Sequence, residues 1–261
     1  LNMTHSKSIS CASRAVFAAT SVLLASGSIA IADELPDTIE VTGVVRDFRE
    51  RTDPSGHPDF ERRPDRGFGR YSGNVATAIG EDRDPVFTGE GFKIASQWRD
   101  SEHRQICHAL YDPELGDTAG SFAHPSTGGI TSAESFAQWF KDVPGVNLSQ
   151  PLSLVMVHQG DGRYVFDDKE DIYHKGVGFQ TLRGFFPIDD ELFGNSAGTP
   201  HHNFHFTFEL HLEFSYEAAG EQYFKFTGDD DVWVFINDRL VIDLGGVHAA
   251  HDQYVDLSRL G

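Results

Sequence analysis

The sequence predicts an all-β sandwich, and three features carry that prediction. Phe204, Phe206, Phe208, Leu210, Leu212, Phe214 and Tyr216 take every second position, with His205, Thr207, Glu209, His211, Glu213 and Ser215 between them. Successive side chains on a strand point to opposite faces, so this spacing gives one apolar and one polar face. Around that segment fall many short β-branched and aromatic runs separated by glycine turns. Only one stretch has convincing helical spacing, and this balance of elements is that of a sandwich.

The elements follow in chain order. Residues 1–32 read as a secretory leader: Lys7 and Arg14 are basic, Ala15–Ala25 is apolar, and Ala30-Ile31-Ala32 is a small-x-small cleavage signal before Asp33. Ser26, Gly27 and Ser28 cut the apolar run short of the ~20 residues a membrane span needs. Asp33–Gly261 suits one large β domain. Thr38–Val45 alternates as an opening strand, and Arg46–Arg70, broken by Pro54, Pro58 and Pro64, reads as a long solvated loop of balanced charge. Thr131 and Glu134 have capping-box spacing before Phe136, Trp139 and Phe140, which share one helical face suited to packing on a sheet. Pro144 ends that run.

Leu152–His158 and Arg163–Phe166 flank Gly160-Asp161-Gly162 as a hairpin. Gln222–Thr227, Val232–Ile236, Arg239–Asp243 and Gln253–Leu257 continue as short strands, with Asn237-Asp238 as a tight turn. No internal repeat or low-complexity tract interrupts the domain.

Composition narrows the function. The formal charge is −19 and becomes more negative by two when Lys7 and Arg14 leave with the leader. Such a surface repels phosphate backbones and anionic lipid, which argues against nucleic acid and against membrane insertion of the mature form. It attracts divalent cations. Cys11 leaves with the leader and Cys107 then has no partner, so a disulfide framework and a thiolate cluster are excluded. A buried structural thiol is the expected role for Cys107.

The central functional candidate is Asp229-Asp230-Asp231, set after Gly228 between two apolar strands. Neighbouring carboxylates on a regular strand point apart, whereas a loop brings two together, most directly through a cis peptide. Two such carboxylates repel, and a hard cation such as calcium quiets them. His201, His202, His205 and His211 lie near Glu209 and Glu213. Same-face residues on a strand are about 7 Å apart and cannot converge on zinc unaided, so a polar outer face is the reading there. No nucleophile elbow, zinc-protease motif or phosphate loop is present, and adjacent aspartates are poorly placed for glycoside hydrolysis, so no enzyme is expected.

The segment FTGDDDVWVFINDRLVIDLGGVH (Phe226–His248) resembles the signature of the fibro-slime domain, a member of the protective-antigen-type β-sandwich group that includes flocculins and adhesins. VRDFRE with HPDFE (Val45–Glu61), DPVFTG (Asp84–Gly89), FAQWFKDVPGVNLSQPLSL (Phe136–Leu154), GFFPID (Gly184–Asp189), FGN (Phe193–Asn195) and HNFHFTFELHLEF (His202–Phe214) extend the likeness in order. The resemblance implies a secreted or cell-surface module for adhesion or matrix that binds glycan through calcium. It places the metal-binding pair on Asp229 and Asp230 and leaves Asp231 outside the matched pair as an additional candidate; His248 and His251, by their position after the Gly245-Gly246 turn, are rim candidates. It also implies that closing strands and further calcium ligands lie beyond Gly261. A structural matrix protein without glycan binding and an accessory domain of a polysaccharide-degrading system are the alternatives.

Overall fold

The computed structural model describes residues 35–168, 184–218 and 220–261, together with the backbone of 6–11 and 15–20. The proposed leader's cleavage signal, Ala30–Ala32, lies outside the described residues. The elements run β1 (Ser6–Cys11), β2 (Ala15–Thr20), β3 (Thr38–Phe48), β4 (Tyr71–Ser72), β5 (Phe92–Ser96) and β6 (Ser121–Pro125). A short helix α1 (Ala133–Ala137) precedes β7 (Asn147–His158), β8 (Arg163–Phe166), β9 (Phe206–Glu213), β10 (Tyr223–Gly228), β11 (Val232–Ile236), β12 (Arg239–Leu244) and β13 (His251–Asp256). A ten-stranded sheet has the order β12-β11-β1-β9-β3-β7-β8-β2-β10-β13, and a three-stranded sheet the order β4-β5-β6. The architecture is the expected all-β sandwich. No helix among the described residues is long and apolar enough to cross a membrane.

The strands form where periodicity places them. β7 and β8 make the hairpin over the Gly160–Gly162 turn. Asn237 and Asp238 both take left-handed backbone (φ 51° and 62°) between β11 and β12, the two-residue geometry that matches strand twist. Phe206, Phe208 and Leu210 of β9 are buried, as are Trp233, Val234 and Phe235 of β11. Trp233 meets Phe136 edge-on at 5.4 Å and lies 6.1 Å from Trp139, so the aromatic face around α1 packs on the sheet.

Three expectations are corrected. The helix cap is Ser132, not Thr131: Ser135 N–H donates to Ser132 Oγ at 3.0 Å, and Ser132 N–H to Ser135 Oγ at 3.1 Å. Thr131 is occupied elsewhere, its N–H donating to Asp59 Oδ1 and its hydroxyl accepting from Arg62. The polar face of β9 is covered at Thr207 and Glu209, while His211 and Glu213 face outward as expected. Thr207 donates to the Trp139 carbonyl at 2.7 Å, and Arg46 Nη1 donates to Glu209 Oε2 at 2.7 Å, which satisfies both groups beneath the α1 region.

The segment after β3 is the third correction. His57, Asp59 and Phe60 are buried, with Phe60 stacked on Phe48 at 4.4 Å. Asp59 Oδ2 accepts from Trp139 Nε1 at 3.2 Å, tying this loop to the aromatic core. Charge balance along the sequence concealed an apolar anchor.

Candidate functional site

β10 ends at Gly228, where a Cβ would meet Val232 Cγ2 at 2.4 Å, so only glycine admits the close return of the chain into β11. Between them Asp230 adopts left-handed backbone with φ 79°. Asp tolerates this region better than most residues because its short polar side chain finds local partners. The Asp229–Asp230 link is trans, contrary to the expectation of a cis bond; among the described residues only Thr199–Pro200 is cis. The loop turns through the Asp230 backbone instead.

A second loop, after β12, closes over the first. Gly246 (φ 88°) fits where a Cβ would strike the Tyr71 ring at 2.1 Å. Its N–H donates to Asp231 Oδ1 at 2.5 Å, and the His248 N–H donates to Asp230 Oδ1 at 2.8 Å. Backbone amides thus aim positive ends at two carboxylates and fix their directions. His248 contributes through its backbone. Its ring is buried, with Nδ1 2.8 Å from the Ala249 carbonyl and Nε2 3.5 Å from that of Leu244, and burial pushes its pKa down. His248 is thus tied to the aspartate loop through its amide, and its neighbour Val247 lines the cavity beside that loop.

Asp230 and Asp231 line one cavity of about 180 Å³ with Asp59, Phe60, Arg63, Phe68 and Trp139. Asp229 is not among its lining residues; its charge acts on His248 and His251 instead. Burial pushes the Asp231 carboxyl up to about 8, the Gly246 N–H opposes this, and the charges of Asp230, Asp243 and Asp59 add to it. A buried carboxylate among others must hold a proton or face a cation. The oxygen donors suit a hard divalent ion such as calcium, which takes carboxylates and carbonyls in flexible geometry. At the mouth Phe68 is 61% exposed, with the Arg63 guanidinium 5.0 Å over its ring.

The histidines expected near β9 do not converge on a metal. His202 Nδ1 pairs with Asp189 Oδ2 at 2.6 Å, His205 Nδ1 lies 3.5 Å from Asp47 Oδ1, and His211 Nε2 pairs with Glu209 Oε1 at 2.7 Å. Asp59, Arg63 and Phe68 were missed from the sequence, because the loop that carries them reads as polar. The only signal was the HPDFE motif, which marks family resemblance without saying what it touches.

A family model for the PA14 domain matches residues 187–259, which contain Asp229–Asp231 and the Gly246–His248 loop. Protein psiD of Dictyostelium discoideum is 39% identical over 201 residues, covering 72% of this chain and 35% of that protein. Protein psiR of the same organism is 29% identical over 242 residues, covering 92% of this chain and 20% of psiR. Protein psiC is 36% identical over 138 residues, covering 51% of this chain and 24% of psiC. The chain thus spans between a fifth and about a third of the length of these relatives. No solved structure matches the chain.

Proposed function

We propose that the protein is an exported, non-enzymatic carbohydrate-binding module of the fibro-slime type, acting through calcium at the cell surface or in extracellular matrix. One observation carries this reading: Asp230 and Asp231 share a cavity with aromatic walls and with Phe68 exposed at its mouth. Asp230 and Asp231 would hold the ion, with Asp229 at the edge of the same loop. Calcium accepts up to about eight oxygens, so two positions can pass to a sugar diol while the protein ligands stay bound. Aromatic faces give sugar rings an apolar seat. The PA14 match and the resemblance to the flocculin and adhesin group support the same assignment.

A glycan array with calcium and with EDTA tests it. Chelator-sensitive signal that disappears in an Asp230→Asn, Asp231→Asn double variant, with unchanged circular dichroism, is the expected result. Signal that survives both treatments refutes the calcium site. The amide clamps from Gly246 and His248 favour one second reading, in which the aspartates only tie two loops together in a structural matrix protein. That reading predicts no glycan signal in either condition.

A further inference from the structure

Away from the aspartate cavity, three chemically different side chains meet under the small sheet. One ligand atom from each of Cys107, His108 and Asp243 lies within 4.8 Å of the others. Cys107 precedes the short 3₁₀ helix His108–Leu110, and Asp243 lies on β12. We propose that this cluster is a zinc site, with the Cys107 thiolate, a His108 ring nitrogen and one Asp243 carboxylate oxygen as ligands.

The Asp243 carboxylate is fully buried and rigidly aimed. Trp233 Nε1 donates to Oδ1 at 3.1 Å, while Ser72 Oγ and the Gly73 N–H donate to Oδ2 at 2.5 and 2.9 Å. A carboxylate offers about four lone-pair sites, so these three bonds leave room for one metal bond. Outer-shell donors of this kind orient metal ligands. The His108 ring is seated between Trp98 and Phe122, with centroids 5.7 and 5.6 Å away, and its Nδ1 is 2.8 Å from Ser72 Oγ.

The donor set selects the metal. One sulfur, one nitrogen and one oxygen suit zinc, whereas calcium and magnesium avoid thiolate. A lone cysteine in the mature part excludes a multi-thiolate cluster but not a mixed site. Binding would release the proton of the Cys107 thiol, which burial otherwise keeps protonated. The bound ion then balances one thiolate and one carboxylate, leaving no net charge in a buried place. Tetrahedral zinc would keep a fourth position for water or another donor.

The test is metal content and cobalt spectroscopy on the full chain. After dialysis against zinc, elemental analysis should give one tightly held zinc per chain, not displaced by excess calcium. Cobalt(II) substitution should give a thiolate-to-cobalt charge-transfer band in the near ultraviolet, lost in Cys107→Ser. Ser72→Ala should weaken zinc binding by roughly 10–100-fold, and Cys107→Ser by more. Zinc that is not retained overturns the proposal, as does bound cobalt without a thiolate band. The cobalt spectrum of the unaltered protein decides the matter even if Cys107→Ser fails to fold. Zinc held at the aspartate cavity instead would show no thiolate band and would yield to calcium.

Discussion

Asp231→Asn separates an ion ligand from a structural acid, because it acts with opposite sign in the two conditions. In metal-free protein the carboxyl is raised from 3.8 to about 8, chiefly by burial. Between those values the folded state holds a proton that the unfolded chain has released. Stability without metal therefore falls as pH rises from about 4 to 8, by about 1.4 kcal/mol per unit. At pH 7 the accumulated penalty approaches about 4 kcal/mol. Asparagine keeps the acceptor that the Gly246 N–H needs and removes the charge, so in EDTA at pH 7 the variant should gain about 2–4 kcal/mol. For a domain of this size that is roughly 5–10 °C in Tm. With calcium at a hundred times its Kd, the unaltered protein should gain about 2.7 kcal/mol and the variant much less. Calorimetry at pH 5, 7 and 8, in EDTA and in calcium, reads both effects. A variant that melts lower than the parent in EDTA at pH 7 refutes the buried-charge argument. Equal calcium gains in both proteins remove Asp231 from the ligand set.

Two further perturbations probe the frame and the mouth of the cavity. Arg259 donates through Nη1 and Nη2 to Asp117 at 2.7 and 2.8 Å, so Arg259→Met should cost about 3 kcal/mol in urea unfolding. The Arg259 guanidinium holds the Asp117 carboxyl below its usual range. That stabilisation is full above about pH 4 and lost in stronger acid, and the variant's stability should be flatter there. Phe68→Ala removes an exposed ring, so Tm should move by less than about 0.5 kcal/mol equivalent. Glycan affinity should fall by up to about tenfold in the same variant, measured by calorimetric titration.

The strands were legible because their signals are local. Alternation marks β9, and left-handed Asn237-Asp238 closes β11 on β12 as its composition suggests. What escaped depends on partners far along the chain. Asp59 is buried with donors from Thr131 and from Trp139, 72 and 80 residues later, and Glu209 pairs with Arg46, which reaches across from β3, as well as with its neighbour His211. The cap moved by one residue because Ser132 and Ser135 satisfy each other's amides while Asp59 takes the Thr131 N–H. Within the site, the acidic triplet was visible in sequence. Which carboxylates face the cavity was not, since that is set by the Gly246 and His248 amides of another loop.

The proposed leader poses the sharpest remaining test, because the proposed export and the sheet make competing demands on residues 1–32. Ser6–Cys11 pairs with Phe208–Glu213 of β9 on one side, and Ile9–Cys11 with Val232–Val234 of β11 on the other. Ala15–Ala19 pairs with Phe224–Gly228 of β10, and Phe17–Thr20 with Arg163–Phe166 of β8. Taking both strands away divides the long ladder into β12-β11, β9-β3-β7-β8 and β10-β13. The apolar interior is not divided with it. One cluster includes Val232, Leu244, Leu210, Phe166 and Phe226, and Gln253 joins β13 to the backbone of Asp243 on β12. Cleavage before Asp33 should therefore cost ladder hydrogen bonds and leave the core. A protein beginning at Asp33 should keep its near-ultraviolet circular dichroism while the amides of Phe208–Leu212 and Phe224–Thr227 exchange faster. Its opened strand edges should also promote self-association. Equal exchange protection in both forms, with the shorter one monomeric, would show that β1 and β2 have no part in holding the sheet. Loss of cooperative melting in the shorter form would show instead that the core depends on them, and that the export assignment for residues 1–32 fails.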